Sequence, residues 1–325
     1  MKLVQIVHRI RSKLNGKGTS EAGTDSLKWK SKYGSVVSSV YQLASADGMN
    51  EKGLVMNMLY LAESDYGKPQ EGHAPMSITL WGQYVLDNYA SVAEAVEGLQ
   101  AKPLYLIPSV LPNGKQSTVH LSLSDPSGDS AIFEYVDGKL EIHHGKQYTV
   151  MTNSPIYSKQ LALNQYWEAI GGTEFLPGTN RAADRFARAS FFLQTVPKDI
   201  DKNYIQGVPD QSYAYQAVAE VVSIMRSVSV PLGITTPNQP NIASTLWRTA
   251  SDQKNLIYYF DSATRPNTFW VSFKELNFNE GAPVMELELE KGQVYSGEAA
   301  KQFKPMPSFQ FLSAPNPGEP KTEAP

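Results

Sequence analysis

The chain reads as an α+β protein in which antiparallel sheets and helices occupy separate stretches. Two observations carry this. Short runs with apolar residues at every second position are joined by hairpin turns, such as Asp125-Pro126-Ser127-Gly128 and Asp137-Gly138. Longer runs between them place apolar residues at helical spacing. A doubly wound parallel sheet would alternate single strands with single helices, and this order does not. With 325 residues, 41% of them hydrophobic, the chain can bury the core of one large domain, and no linker divides it.

Taken in order, residues 1–26 give little; NGKGTSEAGTDS is polar and Gly-rich and predicts loop. Leu27, Trp29 and Tyr33, then Val36, Val37, Val40 and Tyr41, predict one or two strands. Asp47-Gly48 and Asn50-Glu51-Lys52-Gly53 carry turn chemistry. Leu54 to Leu61 is a nearly continuous apolar run and predicts a strand buried on both faces, with Asn57 needing a partner and Tyr60 at the far end. Ile78, Trp81, Val85 and Tyr89 predict a helix, and Ser91 with Glu94 a capping box that opens the next. From Thr118 to Val150 a meander is expected, closing on a strand at Tyr148–Met151. His143 and His144 point to opposite faces of a strand and make a poor metal pair.

The central stretch, residues 151–192, comes next. Pro155 restrains the corner at Thr152-Asn153-Ser154, which leaves the Asn153 amide free to point away from the backbone. An amphipathic helix follows and ends at Gly171-Gly172. Leu176-Pro177-Gly178-Thr179-Asn180 leads into a second helix on which Arg181, Arg185 and Arg188 share a face. A helix from Tyr213 to Arg226 presents Val218, Val221, Val222 and Met225, and strands are expected at 256–260, 269–273 and 285–289. The Pro-rich tail from Pro305 is expected to fray.

Composition excludes several classes of function. A net charge of −3 gives no basis for nucleic-acid or anionic-membrane binding. There is no run of 18 apolar residues, so no membrane-spanning helix is expected, and the first residues make a poor signal peptide. The cysteine count is zero, which removes disulfides, thiolate metal sites and a cysteine nucleophile from the chain as written.

Six segments taken together resemble a known family: DGMNEKGL (47–54), LAESDYG (61–67), LSLSDPSGDSAIFEY (121–135), MTNSP (151–155), LPGTNRAADRF (176–186) and NIASTLWRT (241–249). The ordered set is similar to the choloylglycine hydrolase family of linear amide C–N hydrolases, and within it to the penicillin V acylases of Gram-negative bacteria. The likeness runs from about residue 20 to residue 313. It implies the N-terminal nucleophile hydrolase fold, a four-layer αββα sandwich, with a single acylase-like domain over 27–313 between a poorly matched segment, 1–26, and a flexible tail, 314–325. It implies acyl transfer from a linear amide such as penicillin V, a conjugated bile salt or an acyl-homoserine lactone, with no cofactor and no metal. It further implies a homo-oligomer, tetrameric in relatives, which in Gram-negative species are periplasmic.

The resemblance assigns three positions. Asn153 matches an asparagine whose amide donates to the oxyanion, Tyr60 a position whose main-chain N–H is the second donor, and Arg185 an arginine beside the nucleophile. The family's nucleophile is a cysteine that becomes residue one after processing, with its own α-amine as base. That cysteine and its hairpin have no counterpart from Met1 to Lys17. The expectation is therefore an amide hydrolase read from a truncated or displaced start, with a non-catalytic relative that binds acyl ligands as the alternative.

Overall fold

In chain order the strands are β1 (Val4–Arg9), β2 (Asn15–Lys17), β3 (Lys28–Lys30), β4 (Ser35–Val40), β5 (Ala44–Asn50), β6 (Val55–Tyr60), β7 (Ala74–Ser77), β8 (Leu104–Ile107), β9 (Val119–Ser124), β10 (Ser130–Val136), β11 (Lys139–His144), β12 (Trp247–Asp252), β13 (Ile257–Ser262), β14 (Thr268–Ser272), β15 (Met285–Glu288), β16 (Gly297–Glu298) and β17 (Lys304–Pro305). The helices are α1 (Trp81–Asn88), α2 (Val92–Ala101), α3 (Tyr157–Ile170), α4 (Ala182–Thr195) and α5 (Tyr213–Ser227). The computed structural model describes residues 4–9, 15–17, 27–40, 43–110, 116–234, 244–289, 292–307, 309 and 311–312, with 4–9 and 15–17 as backbone alone.

A nine-stranded sheet runs β11-β10-β9-β6-β5-β4-β1-β15-β17, and a four-stranded sheet runs β12-β13-β14-β16. Every neighbouring pair in the large sheet is antiparallel. Helices α1 and α2 cover one face of it, where Trp81, Val85, Val92 and Leu99 pack on Val37, Met56, Leu121 and Phe133. The small sheet covers part of the other face, and Tyr258, Phe260 and Val271 meet Val36, Met49 and Val55 between the two. Farther along that face, Tyr157 of α3 and Phe186 of α4 close on Ile132 of β10. With α5 packed on β12 of the small sheet, the order is helix, sheet, sheet, helix, as the resemblance implies.

Local chemistry explains many boundaries. Ser91 accepts from the Glu94 N–H and caps α2, while the Glu94 carboxylate takes the Ala90 N–H, one residue outside the expected box. Helix α3 stops at Gly171, whose φ of 85° suits glycine. The meander holds from β9 to β11 on its two expected turns.

Other expectations are corrected. Val4–Arg9, unassigned from sequence, pairs with both β4 and β15 inside the large sheet. Asn15–Lys17, expected as loop, pairs with β3. Asp47-Gly48 lies within β5 and makes no turn; only 51–53 turns. The Gly48 backbone approaches β4 so closely that a Cβ would lie 2.6 Å from the Val36 carbonyl oxygen. The Asp47 carboxyl is held inside by the Tyr258 hydroxyl and by the Trp247 indole N–H at 3.1 Å. Burial raises its pKa. The β6 strand is fully buried only at Val55 and Met56, since β5 pairs with it only as far as Asn57. Tyr148–Met151 joins no ladder; that stretch crosses from the sheet to α3. On α5, Val221 and Met225 are exposed at 39% and 38%, because α5 packs on the rim strand β12.

Candidate functional site

The strand β6 ends at Tyr60, opposite Val119 of β9. Leu61 N–H donates to the Thr118 carbonyl, so its backbone faces β9. In an antiparallel ladder the next residue faces the other way. The Tyr60 N–H and C=O therefore point to the side of β5, past the end of the β5 pairing. The turn after β11 brings Asn153 there. Its Nδ2 donates to the Tyr60 carbonyl oxygen at 2.7 Å.

Arg185 arrives from α4. Its Nη2 donates to Asn153 Oδ1 at 2.7 Å, and its Nε to the Asn180 carbonyl at 3.1 Å. No carboxylate pairs with it among the described residues. Burial, and secondarily the charge of Arg188, pull its pKa down to about 10. The three residues singled out from the sequence thus meet at one point. Asn153 Nδ2 keeps one hydrogen beyond the bond to Tyr60, next to the Tyr60 N–H and a partly desolvated cation. Such a set can hold a negatively charged oxygen.

The third arginine does different work. Arg188 Nη1 donates to the Pro177 and Thr179 carbonyls at 2.6 and 2.8 Å, pinning the loop that leads into α4. Arg181 stands at the N-cap position of α4 with no side-chain capping bond and is exposed, so the shared face does not make a shared role.

Several residues that hold Asn153 in place were not evident from the sequence. Gln160 Nε2 donates at 3.2 Å to Thr152 Oγ1 and to the Asn153 and Ser154 carbonyls. Ser154 Oγ accepts the Ala62 N–H at 3.2 Å. His120 on β9 and Glu134 on β10 are fully buried, 2.7 Å apart, and reach the same turn. The signal available was two ionisable residues inside apolar strand runs, VHLSL and AIFEYV, where a polar side chain needs a partner. No group of three or more His, Asp or Glu side chains suited to a metal occurs among the described residues.

Fold and site together define a hydrolase sandwich of the N-terminal nucleophile type, with hydrogen-bond donors and a partly buried cation gathered where the sheet and helical layers meet. A family model, "Linear amide C-N hydrolases, choloylglycine hydrolase family", matches residues 13–286. A penicillin V acylase from Pectobacterium atrosepticum is 48% identical over 309 residues, 91% of this chain and 81% of the relative. The solved penicillin V acylase from Agrobacterium tumefaciens superposes with a TM-score of 0.83 at 46% identity, over 96% of this chain and 93% of that one. A mutant of conjugated bile acid hydrolase from Clostridium perfringens shares the fold, with a TM-score of 0.69 at 22% identity, over 90% of each chain. The chain belongs to the choloylglycine hydrolase family of linear amide C–N hydrolases.

Proposed function

We propose that Asn153, Tyr60 and Arg185 stabilise the oxyanion formed when the carbonyl of a linear amide is attacked, and that the substrate class includes penicillin V. The observation that carries this is the pair of 2.7 Å contacts, Arg185 to Asn153 and Asn153 to the Tyr60 carbonyl. They orient the amide so that its second N–H and the Tyr60 N–H serve one oxygen. Charge developing on that oxygen is opposed by Arg185, whose guanidinium is partly desolvated.

These 325 residues contain no cysteine, so the sulfur nucleophile of the family is not among them. Hydrolysis that they perform by themselves uses water as the attacking group, at the slow rate that donors and binding alone support. The zero cysteine count favours a second reading, in which the same donors bind an acyl ligand without turnover.

One experiment separates the readings. Protein isolated from its native source, with its intact mass recorded, is incubated with penicillin V, and release of the β-lactam amine is followed. Turnover that falls about 10²–10³-fold in Asn153→Ala supports the first reading. Calorimetric binding without turnover supports the second. Neither binding nor turnover overturns both.

The exposed apolar side chains of α5, with Leu232 and Ile234 just beyond it, support a further reading: the protein is a homo-oligomer that covers this face.

A further inference from the structure

We propose that His120 and Glu134 form a clamp that fixes where the Asn153 amide points. The clamp rests on the reading of Asn153 as an oxyanion donor, and it adds two positioning residues that do not touch the substrate themselves. His120 and Glu134 lie on adjacent strands, β9 and β10, with side chains 1% and 0% exposed. His120 Nδ1 and Glu134 Oε1 are 2.7 Å apart. His120 Nε2 is 2.8 Å from the carbonyl oxygen of Thr152, the residue before Asn153. Glu134 Oε2 accepts the N–H of Tyr157, the first residue of α3, at 2.8 Å. One cross-strand pair therefore grips the Asn153 turn at both ends.

The hydrogen bonds determine how the clamp works. A carbonyl oxygen only accepts, so Nε2 carries a hydrogen and donates it to Thr152. One proton then lies between Nδ1 and Glu134 Oε1, whichever atom holds it. Without Glu134 the neutral ring could place its single hydrogen on Nδ1 and turn a lone pair toward the Thr152 carbonyl. Glu134 therefore keeps Nε2 a donor while holding the start of α3. Gln160 braces the same turn from within α3. An apolar pair of equal volume would fill the space between β9, β10 and α3 at less cost than two buried ionisable groups. What the ionisable pair adds is a fixed carbonyl and a fixed N–H on either side of Asn153.

The test uses the full chain labelled with ¹⁵N. The Asn153 side-chain amide signals are identified by their loss in Asn153→Ala. In His120→Ala and Glu134→Ala these signals shift and broaden. In Glu134→Gln they return to their original positions, since glutamine can accept from Tyr157 and donate to Nδ1. If the parent protein turns over penicillin V, the alanine variants lose about 10²-fold in kcat with KM nearly unchanged, and Glu134→Gln recovers most of it. A pair that only packs would lower the melting temperature and leave the Asn153 signals in place. That outcome, in variants that fold, overturns the clamp. Where the alanine variants do not fold, His120→Gln decides: its amide reaches one partner but cannot bridge both, so unmoved Asn153 signals overturn the clamp as well. Absence of turnover in the parent counts against the catalytic reading alone, because the amide signals still report on the clamp.

Discussion

Replacing Arg185 with methionine should leave the protein about as stable as before. The guanidinium donates only to neutral acceptors, and burial, with the charge of Arg188 second, drags its pKa down to about 10. At about 1.4 kcal/mol per pH unit, that drop corresponds to about 3 kcal/mol of penalty for carrying the charge. Because the folded pKa lies below the unfolded one, the penalty is fully present below about pH 10 and is relieved as pH rises above it, so a measurement at pH 8 sees all of it. Methionine has similar length and suits a helix, but it abandons the bonds to Asn153 Oδ1 and the Asn180 carbonyl. Each lost bond has a charged donor and costs about 1.5 kcal/mol or more, so the two together about cancel that penalty and leave the stability close to unchanged. Urea unfolding at pH 8 reads this as a midpoint and a slope that both stay close to those of the parent. Any anion-dependent function should disappear in the same variant, as expected where a strained charge is kept for use. A loss of 2 kcal/mol or more would refute the reasoning and make Arg185 a structural tether of the loop before α4.

Two further outcomes can be checked independently. Burial alone would raise the Asp261 carboxyl pKa, but hydrogen bonds from Arg226 and Arg248 outweigh it and hold the group below the usual carboxylate range. Its stabilisation is therefore present above the unfolded carboxylate pKa and is lost as pH falls through the folded one; Asp261→Asn should cost about 3 kcal/mol at pH 7 in urea unfolding, and the gap to the parent should close in acid. For the oligomer, light scattering should give a mass above that of one chain, and Val221→Lys with Met225→Glu on α5 should reduce it without lowering the melting temperature of the monomer; a monomeric parent would end that reading.

Elements built from neighbours in the chain were legible in the sequence. The hairpins at 125–128 and 137–138, the cap at Ser91 and the stop at Gly171 each depend on residues within one turn. Pairings across long distances were not. Asp47-Gly48 reads as a turn in isolation, yet Tyr258, 211 residues away, and a close approach to Val36 make it a strand. Val4–Arg9 gains its place from β4 on one side and β15 on the other. The α5 face reads as core from its spacing, but spacing only says which residues share a face, and the sheet beneath is too narrow to cover this one.

The same division holds at the site. By itself the sequence determined the residue types, the restrained corner at Asn153 and the family, since motif order and turn chemistry are properties of the chain. Only the tertiary structure decided that Asn153 touches the Tyr60 carbonyl, 93 residues away, that Arg185 faces it without a carboxylate among the described residues, and that His120 with Glu134 grips the turn. The physical reason is that hydrogen bonds and desolvation depend on which groups share a buried volume, and that volume exists only once the sheets and helices have packed.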